Sequence, residues 1–193
     1  MTSEYTSSVM VVSQTDKAFE FIKGILPKNQ FGPIIKATGA GEAQRILLSQ
    51  SIDIVIINAP LKDEYGTELA INISEGSSTG LLMMVKADAY EQVCFKVENY
   101  GVLTLPKPCT NNDILHSLKL LVATQQRLRA MEKKAQSLED KMNEIRLVNR
   151  AKGLVMQRLS FSENEAHKYI ERQSMDRCCK KSTVALEIIE KYS

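Results

Sequence analysis

The sequence predicts a doubly wound α/β domain over residues 1–110, then a long helix and a small bundle of three helices. Short β-branched runs alternate with helical stretches in the first part, a proline-free stretch follows, and helix-capping signals recur after residue 159. Strands that alternate with helices favour a parallel sheet covered on both faces. Five such strands within about 120 residues are typical of the flavodoxin-like fold.

The helices and strands of this first domain are predicted from apolar runs and from the residues at the ends of those runs. The segment 52–58 is the clearest strand, because it is continuous, β-branched and bounded by polar residues. Pro27 follows the first helix, which it cannot continue. The predicted strands are 9–12, 33–38, 52–58, 81–85 and 102–105, and the predicted helices are 16–26, 41–49 and 89–100.

A long helix is predicted next, with Asn112 as its N-cap and Leu159 at its end, since the stretch contains no proline and only one glycine, Gly153. Its apolar pattern of about four heptads predicts a two-chain coiled coil and hence a homodimer, with Asn149 fixing the register. The alternative is one amphipathic helix that packs on its own domain. The seam positions are Leu121, Thr124, Leu128, Met131, Ala135, Leu138, Met142, Ile145 and Asn149.

Two short helices complete the predicted bundle. Ser162 and Glu165 form the pattern of a capping box, and Ser182 is the expected cap of the last helix. Such a small core is marginal alone, so attachment to the long helix should help to hold it. The residues expected to face inward are Ala166, Tyr169, Ile170, Met175, Val184 or Ala185, Ile188 and Ile189.

Charge is distributed unevenly along the chain. Residues 1–109 hold 9 basic and 12 acidic residues, residues 110–145 hold 6 and 5, and residues 146–193 hold 10 and 6. A basic tail behind an acidic front indicates a polyanionic partner for the tail. No apolar run approaches the roughly 18–20 residues that cross a bilayer, and no secretory signal is present, so we expect a cytoplasmic protein without membrane contact.

The strand 53–58 ends in Asn58, Gly66 follows, and Lys107-Pro108 ends the fifth strand. In this order of elements and motifs the first domain resembles the receiver domains of response regulators. The resemblance implies that Asn58 stands at the phosphoacceptor position, Ser13 and Gln14 at the Mg²⁺-binding acidic pair, and Lys86 at the switch Thr/Ser. It also implies a cis peptide bond between Lys107 and Pro108.

Five positions can be compared with the family. Asn58, Ser13, Gln14 and Lys86 lack its chemistry, and only Lys107 retains it. An amide is a poor nucleophile and cannot form an acyl phosphate, and neutral oxygens bind Mg²⁺ poorly. We therefore expect a pseudo-receiver that is not phosphorylated. A further hypothesis is that Lys86 and Lys107 crowd the pocket and that Asn58 accepts a hydrogen bond from a lysine; the alternative is that these side chains are simply solvated.

The run 149–156 contains Ala151-Lys152-Gly153 followed by small apolar residues, and Tyr169-Ile170, Ser174-Met175 and Ala185 follow at regular distances. This pattern resembles the ANTAR domain, although the family usually has alanine at Ser174. The resemblance implies transcription antitermination through binding of paired hairpins in nascent leader RNA.

Basic side chains supply phosphate contacts, while unpaired loop bases are read by stacking and hydrogen bonds. Gly153 would permit a close approach of backbone or nucleotide. Core packing is the alternative role for Ala151, Val155, Met156, Ala166 and Met175. The candidate RNA-binding residues are Arg150, Lys152, Tyr169, Arg172, Gln173, Arg177, Lys180 and Lys181.

The predicted division is therefore a receiver-like domain at 1–110, a coiled-coil linker at 111–145 and an ANTAR domain at 146–193. The expected partners are leader RNA, a second copy of the chain and a regulatory protein on the receiver-like domain. Two alternatives are a protein-interaction adaptor and a DNA-binding regulator. No nucleophile–base pair, phosphate loop or metal-ligand spacing suggests an enzyme, a metal or another cofactor, and the four cysteines have no assigned chemistry.

Overall fold

The structure of the protein, a computed structural model, describes residues 6–192. It divides into two compact units, the first ending at Arg129 and the second beginning at Ala130. Within the described residues, no helix combines the length and apolarity needed to cross a membrane.

The first unit contains a five-stranded parallel sheet in the order β2-β1-β3-β4-β5, which confirms the predicted doubly wound fold. The five predicted strands are all present, and their ends lie within two residues of the predicted ones. The elements are β1 (Ser7–Ser13), α1 (Asp16–Ile25), β2 (Phe31–Ala37), α2 (Ala40–Ser49), β3 (Ile54–Asn58), α3 (Thr67–Gly76), β4 (Gly80–Lys86), α4 (Tyr90–Val97), β5 (Leu103–Lys107) and the start of α5 (Asn111–Leu159).

Helix α3 is absent from the prediction. Its sequence is rich in Asn, Ser, Thr and Ile, which have modest helix propensity, so tertiary packing of Leu69 and Ile73 determines it. Its start is set by Gly66, whose φ of 105° lies in the left-handed region. A Cβ at Gly66 would also lie 2.8 Å from the Ile57 side chain, so a side chain does not fit there.

The N-cap predicted for α5 is wrong by two residues. Thr110, not Asn112, caps the helix, because the Asp113 carboxylate accepts from the Thr110 amide at 2.8 Å and the Asp113 amide donates to Thr110 Oγ1 at 3.2 Å. This reciprocal pair satisfies two amide groups and starts the helix at Asn111.

The beginning of α5 belongs to the core of the first unit. Ile114, Leu118 and Leu121 are buried with α1 and one face of the sheet. Leu121 is therefore not a seam position of a coiled coil, and the alternative of a helix packed on its own domain holds for these turns. Farther along, the seam residues Leu128, Met131, Leu138, Met142 and Ile145 are exposed.

The second unit joins the end of α5 to α6 (Glu163–Asp176) and α7 (Lys181–Tyr192). One apolar core is shared by all three helices, as predicted, and Ser162 and Glu165 form the predicted capping box. Helix α7 already begins at Lys181, so Ser182 lies in its first turn and does not cap it. The buried apolar residues are Ala151, Val155, Ala166, Ile170, Val184, Ala185 and Ile188.

Two methionines predicted for this core lie outside it. Met175 is 70% exposed and Met156 is also exposed. The buried residues of α6 follow a strict spacing of four, from Ala166 through Ile170 to Ser174, so the third core position falls on Ser174. The Ser174 hydroxyl donates to the Cys179 carbonyl at 2.6 Å, which satisfies the buried polar group.

Replacement of Leu118 by alanine should destabilise the protein by about 2–5 kcal/mol, because it opens a cavity between α5 and the sheet. Leu120→Ala is the matched control, since Leu120 is 57% exposed on the same helix and should change the free energy of unfolding by less than about 0.5 kcal/mol. Chemical denaturation measures both values. Equal losses for the two variants would contradict the placement of α5 in the core.

Candidate functional site

A pocket lies where β1, β3 and β5 end at the same edge of the sheet. Asn58 is the last residue of β3 and lies opposite Ser13 of β1 in the ladder. Lys107, the last residue of β5, extends towards it, and its Nζ donates to Asn58 Oδ1 at 2.9 Å and to the Ala59 carbonyl. The hypothesis that Asn58 accepts a hydrogen bond from a lysine is therefore confirmed for Lys107.

The Lys107 ammonium is half-buried in a site with two neutral acceptors. Burial lowers the pKa of Lys107, Cys109 opposes this shift, and the neighbouring charge of Lys86 lowers the pKa further. Lys86 itself is exposed and lies opposite Lys107 in the strand register. The ammonium group of Lys107 therefore lies beside the Asn58 side chain in this pocket. The peptide bond between Lys107 and Pro108 is cis, as expected.

The remaining two predicted pocket residues do not reach this pair. The Ser13 hydroxyl is buried and donates to the Thr15 carbonyl at 3.1 Å, while Gln14 is exposed. Within residues 6–192, no group of three or more His, Cys, Asp or Glu side chains is placed to hold a metal ion. The contacts that the pocket offers are those of an ammonium group and neutral oxygens.

A carboxylate that the sequence prediction did not consider lies in the loop after β3. Asp63 accepts from the amides of Ala40 at 2.8 Å and Gly41 at 3.0 Å, at the N-terminus of α2. These backbone hydrogen bonds lower the pKa of Asp63. Asp63 therefore caps α2, which has Gly39 at its N-cap and no side-chain cap of its own.

In the second unit, three of the predicted RNA-binding cations form ion pairs that link helices. Lys152 contacts Glu163 at 3.0 Å, Lys181 contacts Glu171 at 2.7 Å, and Arg177 binds both Glu187 oxygens at 2.5 and 2.6 Å. In each case the hydrogen bond from the cation lowers the pKa of the glutamate. These pairs join α5 to α6 and α6 to α7.

The other candidates differ in what their side chains contact. Arg172 lies 3.7 Å from Asp176 on the same helix. Arg150 and Lys180 are exposed, and neither forms an ion pair in the described part of the chain. Tyr169 packs edge-on against Phe161, with ring centroids 5.8 Å apart, so it contributes to the bundle. Gln173 is half-buried.

Within residues 6–192, no other segment lies close to the missing side chain of Gly153. A Cβ placed there would meet nothing within 4 Å, and the residue is exposed on α5. Among the described residues, no backbone segment makes the close approach that Gly153 would permit. Access for a nucleotide stays a prediction.

A groove of about 260 Å³ runs between the three helices of the second unit. Asn149 and His167 border it, and sequence reasoning gave neither of them an RNA-binding role. Asn149 was assigned to the coiled coil, and His167 fits no ligand spacing. The residues that line the groove are Glu144, Ile145, Val148, Asn149, Lys152, His167 and Lys181.

Residues 136–189 match the family model described as the ANTAR domain. Among curated proteins, the transcriptional regulatory protein PdtaR of Mycobacterium tuberculosis is 27% identical over 161 residues, covering 81% of this chain and 77% of PdtaR. The aliphatic amidase regulator of Pseudomonas aeruginosa is 26% identical over 137 residues, covering 66% of this chain and 67% of that protein.

Solved structures that resemble the protein include receiver domains. The signal receiver domain of an HD domain-containing protein from Pseudomonas fluorescens Pf-5 has a TM-score of 0.60 at 22% identity, covering 67% of this chain and 96% of that one. A CheY-like receiver domain from Methanospirillum hungatei JF-1 has a TM-score of 0.58 at 19% identity, covering 64% and 98%. The first unit therefore has the receiver fold.

The pair Arg177–Glu187 should stabilise the attachment of α7 to α6. Arg177→Glu or Glu187→Arg alone places like charges together and should accelerate amide hydrogen exchange in α7 severalfold, because the helix opens more often. The double reversal Arg177→Glu with Glu187→Arg should restore slow exchange, since it recreates an ion pair of opposite polarity. Exchange that stays fast in the double variant would contradict a linking role for this pair.

Proposed function

We propose that this chain, whose residues 136–189 match the ANTAR domain and whose first unit has the receiver fold, is an RNA-binding transcription antiterminator whose first unit is not switched by phosphorylation. The observation that carries the proposal is the ANTAR match over residues 136–189, which coincides with the basic end of the chain. Nascent RNA is the proposed target, and the cytoplasm is accordingly the proposed location.

The charges of the second unit support an RNA partner. Residues 146–193 hold 10 basic residues against 6 acidic ones. Because Arg150 and Lys180 are exposed and form no ion pair within the described residues, they can bind phosphate without breaking a contact. Lys152, Arg177 and Lys181 lie in the same unit but must share their donors with glutamates.

The pocket of the first unit supports independence from phosphorylation. Asn58 has no carboxylate to form an acyl phosphate, and Lys107 already binds its side-chain oxygen at 2.9 Å. Ser13 and Gln14, at the positions matched to the Mg²⁺-binding acidic pair, offer a divalent cation no carboxylate. Control would then come from another molecule, for which a regulatory protein on the first unit is our proposed candidate.

A second copy of the chain is the proposed occupant of the exposed stripe on α5. Leu128, Met131, Leu138, Met142 and Ile145 are exposed and follow spacings of three, seven, four and three residues. This is the pattern of one face of a two-stranded coiled coil. A dimer would present two ANTAR domains to two hairpins, which raises the effective affinity without a new contact.

The test of RNA binding begins with a pool of RNA stem-loops that share one stem and have a randomised loop. The full chain should select a defined set of loops, and the dominant hairpin should bind more tightly than duplex DNA of equal charge across a salt series. Equal affinity for the two would favour the DNA-binding alternative or non-specific attraction. Binding of neither would favour the protein-interaction adaptor.

Arg150→Ala and Lys180→Ala should each weaken binding of the selected hairpin, because each variant removes one phosphate contact. The slope of log affinity against log salt should fall by about 1 for each variant. Lys96→Ala is the control, since Lys96 is an exposed lysine on α4 of the first unit and should leave both values unchanged. Unchanged slopes in the two test variants would exclude these residues from the RNA contact.

Leu138→Glu combined with Met142→Glu should convert a dimer into a monomer, because two charges on the seam are desolvated and repel their copies in the partner. Gln136→Glu with Asn143→Glu adds the same charge at exposed positions beside the stripe and should leave the dimer intact. Sedimentation equilibrium measures the mass of each species. A wild-type chain that is monomeric at all concentrations would refute the coiled coil.

A further inference from the structure

The groove in the second unit has a composition that suits a single nucleotide. We propose that it receives one unpaired nucleotide of the bound RNA, with the base between α5 and α6 and the phosphate at the lysine end. The inference rests on the proposed function and adds a recognition site, with Asn149 and His167 as residues that determine specificity. Its volume, about 260 Å³, is below the roughly 300–1,000 Å³ of pockets for larger ligands.

The groove has an acidic side chain at one end and two basic side chains at the other. Glu144 and Lys152 are both on α5 and border the groove, and eight residues of helix separate them by about 12 Å. Lys181 from α7 joins Lys152 in the lining, so two ammonium groups face a single acidic residue from α5. Glu163 and Glu171 offset part of the charge of the two lysines. A phosphate still favours the lysine end, because the ammonium groups can donate to it while Glu144 at the other end repels it.

The two lysines are held in place before any RNA binds. Glu163 fixes the Lys152 ammonium at 3.0 Å, and Glu171 fixes that of Lys181 at 2.7 Å. An ammonium group has three N–H donors, so each lysine retains two after donating one to its glutamate. Fixing the lysines beforehand reduces the entropy that binding would otherwise cost.

Asn149 and His167 can distinguish one base from another. An Asn amide offers both donors and an acceptor, and an imidazole offers one of each when neutral, so the two can read the edge of a base. In residues 6–192 neither side chain is already hydrogen-bonded. The charged neighbours of His167 are Glu163 and Glu171 on α6, together with Lys152 and Lys181 across the groove.

An apolar wall completes the site. Val148, which is half-buried, lines the groove on α5, and Ile145 of the proposed seam borders it one turn earlier. The face of an unstacked base can pack against such aliphatic side chains and leave water, while its edge reaches the polar groups. Asn149 is the next residue after Val148, so the apolar wall lies beside a side chain that can form hydrogen bonds.

Asn149 also occupies a position of the predicted seam, and this offers a competing role in setting the coiled-coil register. The two roles differ in what they predict. A register residue affects the mass of the oligomer and affects all hairpins equally, whereas a base-reading residue affects one loop position and leaves the mass unchanged.

The experiment uses the full chain and the dominant hairpin from the selection, with every loop position replaced in turn by the other three bases. Wild-type protein should discriminate strongly at one position. Asn149→Ala and His167→Gln should each weaken binding roughly tenfold, and the discrimination at that position should fall to within about twofold while other positions keep theirs. Asn164→Ala and His116→Gln are matched controls at exposed positions and should behave as wild type.

Three results would overturn the groove assignment even though the selection succeeds. One is a loss of affinity no larger than that of the controls. Another is weaker binding that is equal at all loop positions, and the third is a changed oligomer mass for Asn149→Ala in sedimentation. Failure of the selection itself to enrich any loop is a different result, and it refutes the proposed function from which this inference starts.

Discussion

One helix takes part in both cores of the protein, and the rest of the structure depends on it. Ile114 and Leu118 of α5 pack with the sheet, and Ala151 and Val155 of the same helix pack with α6 and α7. Between them, every side chain from Ala130 to Asn143 is exposed. A helix in water gains most of its stability from packing, so this middle segment favours a partner, for which a second copy is our proposal.

In the first unit, the edge of the sheet where β3 and β5 end carries an amide and an ammonium group within a receiver fold. The groups that meet there are Asn58 and Lys107. The half-buried ammonium is stabilised by the Asn58 and Ala59 oxygens, which offset part of its desolvation. Restoring an aspartate at Asn58 alone would leave Ser13 and Gln14 without carboxylates.

The strands could be predicted because β-branched runs such as 52–58 signal burial by themselves, and the capping box at Ser162 is a local pattern. Helix α3 could not be predicted, because several of its residues have modest helix propensity and tertiary packing determines that the segment is helical. The prediction that Met175 faces the core is wrong, because the buried face of α6 follows Ala166, Ile170 and Ser174, and Met175 lies outside that face. The ion pairs between helices could not be predicted either, since residues such as Lys152 and Glu163 are eleven positions apart and lie on different helices.

The groove illustrates the same limit for function. Asn149 and His167 come from different helices, and only the packing of the bundle brings them to one surface. The pattern within each single segment predicts a seam position for Asn149 and no role for His167, because contacts between helices are not part of it. The basic residues were selected by type, and the structure separates those that link helices, such as Arg177, from those left exposed, such as Arg150.

The central claim is that the protein binds RNA without a phosphoryl switch. The most direct measurement incubates the full chain with acetyl phosphate and Mg²⁺, records its intact mass, and then measures the affinity of the same sample for the selected hairpin. The account predicts an unchanged mass and an unchanged affinity. A stoichiometric gain of one phosphoryl group in the first unit, accompanied by altered RNA affinity, would contradict it.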